Sequence, residues 1–158
     1  MSTNANVYDV DDHIAEIYEK TETYTDDVDL IRGLIGESGP LRILEPFCGA
    51  GRMLIPLAQD GHEMVGLDQA RSMLERARMK INGLPEEVAT RITLIEADVV
   101  TVQWPKGFDL VILGANCLYE LATPDEQEGC VASAAAALNL RGHAYLDNNH
   151  MEGELDEG

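Results

Sequence analysis

The chain has 158 residues, 45% of them hydrophobic, which suits one domain built around a single core. Its formal net charge of −18 predicts repulsion from nucleic-acid phosphates, because proteins bind these through clustered Lys and Arg. No apolar run approaches the roughly 18 residues of a membrane span, and the N-terminus lacks the basic start and apolar block of a secretory signal.

Cys48, Cys117 and Cys130 are odd in number and widely spaced, which favours neither a disulfide framework nor a zinc site. His62 and His143 lack metal-ligand spacing, and we expect both at the surface. We therefore expect a cytoplasmic protein with no metal, no membrane partner and no nucleic-acid partner.

Two amphipathic helices, over residues 11–20 and 25–38, are predicted ahead of the first strand. The second begins at a plausible cap, Thr25. Its apolar stripe is formed by Val28, Ile31, Leu34 and Ile35. A Gly-Pro pair at positions 39 and 40 then breaks the chain, so residues 1–38 are predicted to form an N-terminal helical segment.

Strands and helices alternate from position 41 onward. The predicted strands are residues 41–46, 62–68, 91–98, 108–116 and 143–147. The predicted helices are residues 51–61, 70–83 and 123–140. This alternation predicts an α/β fold in which a parallel sheet carries helices on both faces and binds its ligand beyond the carboxyl ends of the strands. We assign residues 39–150 to this domain and residues 151–158 to an acidic tail that we expect to be disordered.

Two helix starts carry specific expectations. Thr123 is predicted to cap the helix of residues 123–140, with Glu126 completing a capping box. If the helix of residues 51–61 begins at Arg52, Pro56 lies just past its first turn and predicts a slight kink or a 3₁₀ start.

Acids end three successive predicted strands, at Glu45, Asp68 and Asp98, and so lie on one edge of a parallel sheet. After the first strand, Gly49 and Gly51 let the backbone approach a ligand, and the following helix N-terminus suits a carboxylate or a phosphate. Asp68 lies 17 positions after Gly51, near the spacing at which an acid accepts hydrogen bonds from both ribose hydroxyls. Asp98 is placed to accept from the exocyclic amine of a base. A tight strand-to-helix turn without a ligand is the other interpretation.

The dinucleotide fingerprint G-x-G-x-x-G fails, since Leu54 stands at the third glycine position. The sequence instead resembles the Rossmann-like (class I) S-adenosylmethionine-dependent methyltransferases. "LEPFCGAG" resembles their glycine-rich first motif, "VGLDQARSMLERAR" the second motif, "IEAD" the adenine-side motif, and "FDLVILGANCLYEL" the strand that leads to the methyl-transfer site. The four motifs occur in family order over about residues 12–150. The resemblance implies the strand order 3-2-1-4-5.

The resemblance also implies S-adenosyl-L-methionine as cofactor, S-adenosyl-L-homocysteine as product, and a set of binding residues. That set is Glu45, Phe47, Gly49, Gly51, Asp68, Gln69, Asp98, Val99 and Asn116. The first-motif residues would line the methionine end of the cofactor. Asp68 and Gln69 would hold the ribose, Asp98 and Val99 would face the adenine, and Asn116 would lie near the sulfonium and the acceptor.

The sequence departs from the family pattern in two places. Phe47 stands where a glycine or another small residue is usual. Members of the family normally continue past the fifth strand with a helix and two further strands, whereas this chain stops at residue 158. We expect these C-terminal strands to be missing and the chain to self-associate through the uncovered edge of the fifth strand.

Several side chains have two interpretations each. Tyr18 and Tyr24 close over the cofactor or pack as ordinary helix residues, and Tyr119 touches the acceptor or packs in the core. Asn116 and His150 are the candidate catalytic residues, although His150 belongs equally well to a tail.

The sequence thus predicts an S-adenosylmethionine-dependent methyltransferase that acts on a small molecule. No nucleophile or metal cluster is needed, because the sulfonium is already electrophilic and the protein has only to align an acceptor. The alternatives are a non-catalytic module that binds the cofactor or a partner, and a nicotinamide-dependent oxidoreductase, which Leu54 disfavours.

Overall fold

The computed structural model describes residues 26–114 and 121–146. The strands are β1 (Arg42–Pro46), β2 (Glu63–Asp68), β3 (Ile92–Glu96), β4 (Phe108–Leu113) and β5 (Leu138–Leu146). The helices are α1 (Asp26–Ile35), α2 (Leu54–Gln59), α3 (Arg71–Asn82), α4 (Glu86–Ala89) and α5 (Pro124–Ala137). Within these residues no helix has both the length and the apolar character to cross a membrane.

The five strands form one parallel sheet in the order β3-β2-β1-β4-β5, which confirms the predicted fold. Successive residues of β1 face opposite sides of the sheet, so Ile43 and Leu44 belong to different cores. The core on the Ile43 side is closed by α1, α2, α3 and α4, and the core on the Leu44 side by α5. Helices therefore cover both faces, and the carboxyl ends of the strands are left for a ligand.

Helix α2 begins at Leu54 rather than at Arg52, which corrects the expected start. Pro56 then falls in the first turn, where a backbone N–H has no intrahelical partner to lose. The condition for the expected kink or 3₁₀ start, a helix that begins at Arg52, is therefore not met.

Helix α5 starts as predicted at its cap. The hydroxyl of Thr123 accepts a hydrogen bond from the Glu126 N–H at 3.1 Å. The Glu126 carboxylate accepts from the N–H of Ala122 at 2.9 Å, one residue before the position that a capping box uses. The two bonds together still satisfy two donors at the helix start.

Two residues near the starts of β1 and β2 differ from expectation. In α1, Val28 and Ile31 are buried as predicted, but Leu34 is 67% exposed. His62 is buried rather than at the surface, and its Nδ1 accepts a hydrogen bond from the Leu41 N–H at 3.0 Å. The imidazole thus fastens the start of β2 to the start of β1.

Strand β5 begins directly after α5, at Leu138 instead of His143. Its pairing with β4 is interrupted, because Phe108 faces Leu138 whereas Leu110 faces His143. Gly142 permits this irregularity, since a Cβ there would lie 2.9 Å from the Phe108 carbonyl oxygen. Only the part from His143 onward continues the regular parallel ladder, as the sequence predicted.

Candidate functional site

The predicted acids meet at the carboxyl edge of the sheet, although one of them does not end its strand. Glu45 is the last residue but one of β1, and Asp68 is the last of β2. Strand β3 ends at Glu96, so Asp98 lies in the following turn, which corrects its expected place at the strand end. That turn stays close to β2, because the Ala97 N–H donates to the Asp68 carbonyl at 3.0 Å.

The loop from β1 to α2 bends through left-handed backbone conformations. Phe47, Gly49 and Gly51 have φ of 60°, 58° and 88°. Two hydrogen bonds connect the loop to neighbouring elements. In the first, the Cys48 N–H donates to the Leu67 carbonyl at 3.1 Å. The Lys80 ammonium donates to the Ala50 carbonyl at 3.3 Å. Glycines occupy two of the three positive-φ positions, and an added Cβ would lie 3.2 Å from the Met73 methyl carbon at Gly49 and 3.4 Å from an Ile55 methyl carbon at Gly51, so glycine lets the loop pack closely against α2 and α3.

Asp68 fastens the loop to the next helix. One carboxylate oxygen accepts from the Gly49 N–H at 2.8 Å, and the other accepts from the Ala70 N–H at 2.9 Å, at the start of α3. A carboxylate offers about four lone-pair sites in all, so this type of side chain can accept from backbone N–H groups and from a ligand at the same time. Asp68 is therefore able to position the loop and to accept hydrogen bonds from a ligand.

Glu45 is buried beneath this loop. Its side chain belongs to a residue only 6% exposed, and its Oε1 has no hydrogen-bond partner among the described residues. Burial raises the pKa of Glu45 well above its ordinary value, Arg52 opposes this rise, and the Asp27 and Asp68 carboxylates add to it. A buried acceptor without a donor is costly, so it suits a site that a ligand donor completes.

An ion pair that the sequence analysis missed joins α1 to the loop. Both terminal nitrogens of Arg52 donate to the Asp27 carboxylate, at 2.7 and 2.8 Å. Asp27 is 3% exposed, so this is a desolvated, bidentate contact. The two residues are separated by 25 positions, and no local pattern marks them as partners.

Gly66, inside β2, is a second residue that the sequence analysis missed. It pairs with Glu45 in the neighbouring strand. A Cβ at Gly66 would lie 2.7 Å from the Cys48 Sγ and 2.8 Å from a Leu54 methyl carbon, so only glycine lets the loop and α2 sit this close to the sheet. A glycine within a strand interior was the available signal.

Phe47 holds a conformation that favours glycine, with φ at 60°. Its half-buried ring packs against the core on the α5 side. This positive φ accounts for the small residues that are usual at the position, because a side chain strains the backbone there. In this chain the packing of the Phe47 ring offsets part of that strain.

The residues predicted to face an adenine lie in the turn after β3. The Asp98 carboxylate accepts from the Val100 N–H at 3.0 Å, and the Asp98 carbonyl accepts from the N–H of Val102 at 2.9 Å. Val99 is buried, and its carbonyl accepts from the Trp104 indole N–H at 2.9 Å. Gln69 is half-buried directly after β2.

The other predicted site residues, Tyr18, Tyr24, Asn116, Tyr119 and His150, lie outside the described residues, as does Cys117. Across residues 26–114 and 121–146, no three His, Cys, Asp or Glu side chains gather as metal ligands would. Cys48 and Cys130 are buried free thiols.

Comparison with known proteins places the chain among the methyltransferases. Residues 43–142 match a family model described as a methyltransferase domain. The 23S rRNA (uracil(1939)-C(5))-methyltransferase RlmD of Aeromonas salmonicida is 34% identical over 82 residues, which are 50% of this chain and 18% of that relative.

Solved structures agree with this placement. The glycopeptide N-methyltransferase MtfA in complex with S-adenosyl-L-methionine is 28% identical, with a TM-score of 0.66 over 75% of this chain and 51% of that chain. The CcbJ methyltransferase from Streptomyces caelestis has the same fold, with a TM-score of 0.75 over 87% of this chain and 55% of that chain at 23% identity. The chain thus spans about half of these structures and less than a fifth of the rRNA enzyme. Since the matched region contains the whole loop, Asp68 and the turn after β3, the chain belongs to the methyltransferase domain family.

Proposed function

We propose that this protein transfers a methyl group from S-adenosyl-L-methionine to a small-molecule acceptor. The observation that carries the proposal is the buried carboxyl of Glu45 under the glycine loop, whose Oε1 has no hydrogen-bond partner within residues 26–114 and 121–146 and could accept from a ligand donor. The family match and the likeness to MtfA with its bound cofactor support the same conclusion.

The residues at the sheet edge fit the parts of this cofactor. Glu45 and the loop around Gly49 and Gly51 would hold the methionine part, with Phe47 beside it. The Asp68 carboxylate would accept from the ribose hydroxyls, with Gln69 next to it. The turn at Asp98 and Val99 would face the adenine, and Asn116 would lie toward the acceptor. The bound cofactor supplies an electrophilic methyl group, and these residues bind it, orient it and exclude water.

A small-molecule acceptor is favoured over RNA by charge. The chain carries 29 acidic residues against 11 Lys and Arg, which opposes association with phosphates. The region similar to the rRNA methyltransferase makes up 18% of that relative, so most of the rRNA enzyme has no counterpart in the aligned part of this chain. Ribosomal RNA nevertheless belongs in the acceptor panel, because this relative acts on it.

Calorimetric titration tests the cofactor assignment. We expect S-adenosylhomocysteine to bind and NAD not to bind, since Leu54 is fully buried at the start of α2 where a dinucleotide fingerprint has its third glycine. A methyl-transfer assay against small amines, hydroxyl compounds and RNA then tests catalysis. Binding without transfer to any acceptor would favour the non-catalytic module.

A matched pair of glycine variants tests the loop. Gly49→Val should abolish binding, because a β-branched residue at φ of 58° strains the backbone and places its Cβ 3.2 Å from the Met73 methyl carbon. Gly36→Val, at φ of 61° with its nearest neighbour 4.0 Å from the added Cβ, carries similar strain away from the site and should bind normally. Equal binding by both variants would contradict the proposed role of the loop.

We also infer a cytoplasmic location and self-association through β5. The first inference is supported by the buried free thiols of Cys48 and Cys130, which suit a reducing compartment. The second is supported by the apolar residues of β5 at the edge of the described sheet.

A further inference from the structure

Among the described residues, the charged groups that act on Glu45 come from three parts of the fold, and two of the three are acids. Asp27 faces it from α1, Asp68 from the end of β2, and Arg52 from the loop. The neighbouring Cys48 thiol adds no charge, because burial, Asp68 and Glu45 all raise its pKa. A carboxylate at Glu45 would therefore be desolvated, repelled by two acids, and without a donor for Oε1 in the part of the chain that the structure describes.

Arg52 is the cation that could neutralise Glu45, but it is engaged elsewhere. Its two terminal nitrogens donate to the Asp27 carboxylate at 2.7 and 2.8 Å, so Asp27 offsets part of the lowering of the Glu45 pKa by Arg52, and burial remains the largest effect on that pKa. The neutral acid is thus the favoured form of Glu45 until another positive group arrives.

We propose that Glu45, buried and with the nearby Arg52 held by Asp27, is protonated in the free protein and that cofactor binding releases this proton. The inference rests on the proposed function, because the arriving cation is the ammonium group of the methionine part of the cofactor. In this step the O–H bond of the Glu45 carboxyl breaks, its electron pair stays on the carboxylate, and the proton passes to the solvent. The ammonium keeps its protons and donates to the new carboxylate. Asp27 is then a positioning residue that acts through Arg52.

The release of one proton fixes the pH dependence of binding. Between about pH 5 and 7 the α-amino group of the ligand stays protonated, so Glu45 is the group that changes. Because the free protein holds one more proton than the complex, affinity should rise with pH, by up to about tenfold per unit.

Calorimetry in two buffers measures the proton directly. S-adenosylhomocysteine is titrated into the protein at pH 6 in phosphate and in Bis-Tris, whose ionisation enthalpies differ. The dependence of the measured enthalpy on that of the buffer gives the number of protons released. We expect a measurable proton release from the wild type and none from Glu45→Gln, whose affinity should also be independent of pH. Equal values for the two proteins would overturn the inference.

A second pair of variants tests the role of Asp27. Asp27→Asn frees Arg52 to stabilise the Glu45 carboxylate, so fewer protons should be released and the pH profile should flatten. Asp29→Asn lies on the same helix, exposed and 3.5 Å from Arg32, and should keep the wild-type value. If Asp27→Asn fails to fold, the Glu45→Gln comparison still decides whether the proton comes from Glu45. Wild-type protein that does not bind S-adenosylhomocysteine contradicts the proposed function, whereas binding without proton release contradicts this inference alone.

Discussion

At the scale of single residues, Asp68 combines a structural and a binding task. Its two oxygens hold the N–H groups of Gly49 and Ala70, so the same carboxylate shapes the loop and faces the expected ribose. Its place at the end of β2 could be predicted from the sequence, because an acid after a buried strand is a local pattern. The hydrogen bond from the Gly49 N–H to this carboxylate could not be predicted from the sequence, because it depends on how the loop folds back over β2.

Asp68→Ala should weaken the binding of S-adenosylhomocysteine by about 1–3 kcal/mol, the usual loss for charge-assisted hydrogen bonds. Calorimetric titration measures this change. Asp109→Ala is the matched control, because the Asp109 carboxylate also accepts from a backbone N–H, that of Arg42 at 2.9 Å, but at the opposite edge of the sheet. The control should lose stability and keep its affinity. Unchanged affinity in Asp68→Ala would remove Asp68 from the site.

Phe47 allows a test of backbone strain. Phe47→Gly and Phe47→Ala both lose the packing of the ring, but only alanine keeps an L side chain at φ of 60°. The glycine variant should therefore be more stable than the alanine variant by about 1 kcal/mol in urea unfolding. At Ala135, exposed within α5, the change to glycine should instead destabilise by about 0.5–1 kcal/mol. An alanine variant at position 47 that is the more stable of the two would show that the strain is absent.

At the scale of elements, periodicity predicts which segments are helices and strands but does not fix how they are joined. The start of α2 was placed two residues early, because the loop before it is set by positive φ at Gly49 and Gly51 and by bonds to β2. The Asp27–Arg52 pair escaped prediction for a related reason, since it joins two elements that are distant in sequence. The burial of His62 also escaped prediction, since its partner, the Leu41 N–H, belongs to another segment.

The His62 contact predicts a pH dependence of stability. Burial lowers the pKa of His62 below its unfolded value of about 6.5, so the unfolded chain binds the proton more readily. The contribution of His62 is therefore fully present above about pH 6.5 and is lost as the pH falls through the lowered pKa. His62→Asn keeps an acceptor for the Leu41 N–H without titrating, and should lose less stability than the wild type between pH 7.5 and 5.5.

Urea unfolding at both pH values measures the difference, and groups common to both proteins, Glu45 among them, cancel in the comparison. His143→Asn, at an exposed position in β5, should behave as the wild type. A wild type and a His62→Asn variant with the same pH dependence would contradict the prediction.

At the scale of the whole molecule, the described sheet ends at β5, which has β4 as its neighbour on one side. The strand exposes apolar side chains, with Leu140 fully exposed and Leu146 at 44%. No other described strand pairs with the far side of β5, and β5 contains neither lysine nor proline. Such an edge is a template for pairing with another chain. A second copy is a suitable partner, since two β5 edges can pair about a two-fold axis and bury the same surface twice.

We therefore expect a monomer–dimer equilibrium in sedimentation experiments at several protein concentrations. Each copy carries a net charge of −18, so added salt should screen the repulsion between copies and favour the dimer. Leu146→Lys places a charge on the edge and should shift the equilibrium to the monomer. Val131→Lys is the matched control, because Val131 is 42% exposed on α5 and should leave association unchanged. A wild-type protein that stays monomeric at every protein and salt concentration would show that β5 is not a pairing edge. Equal effects of Leu146→Lys and Val131→Lys on association would place the contact between copies elsewhere.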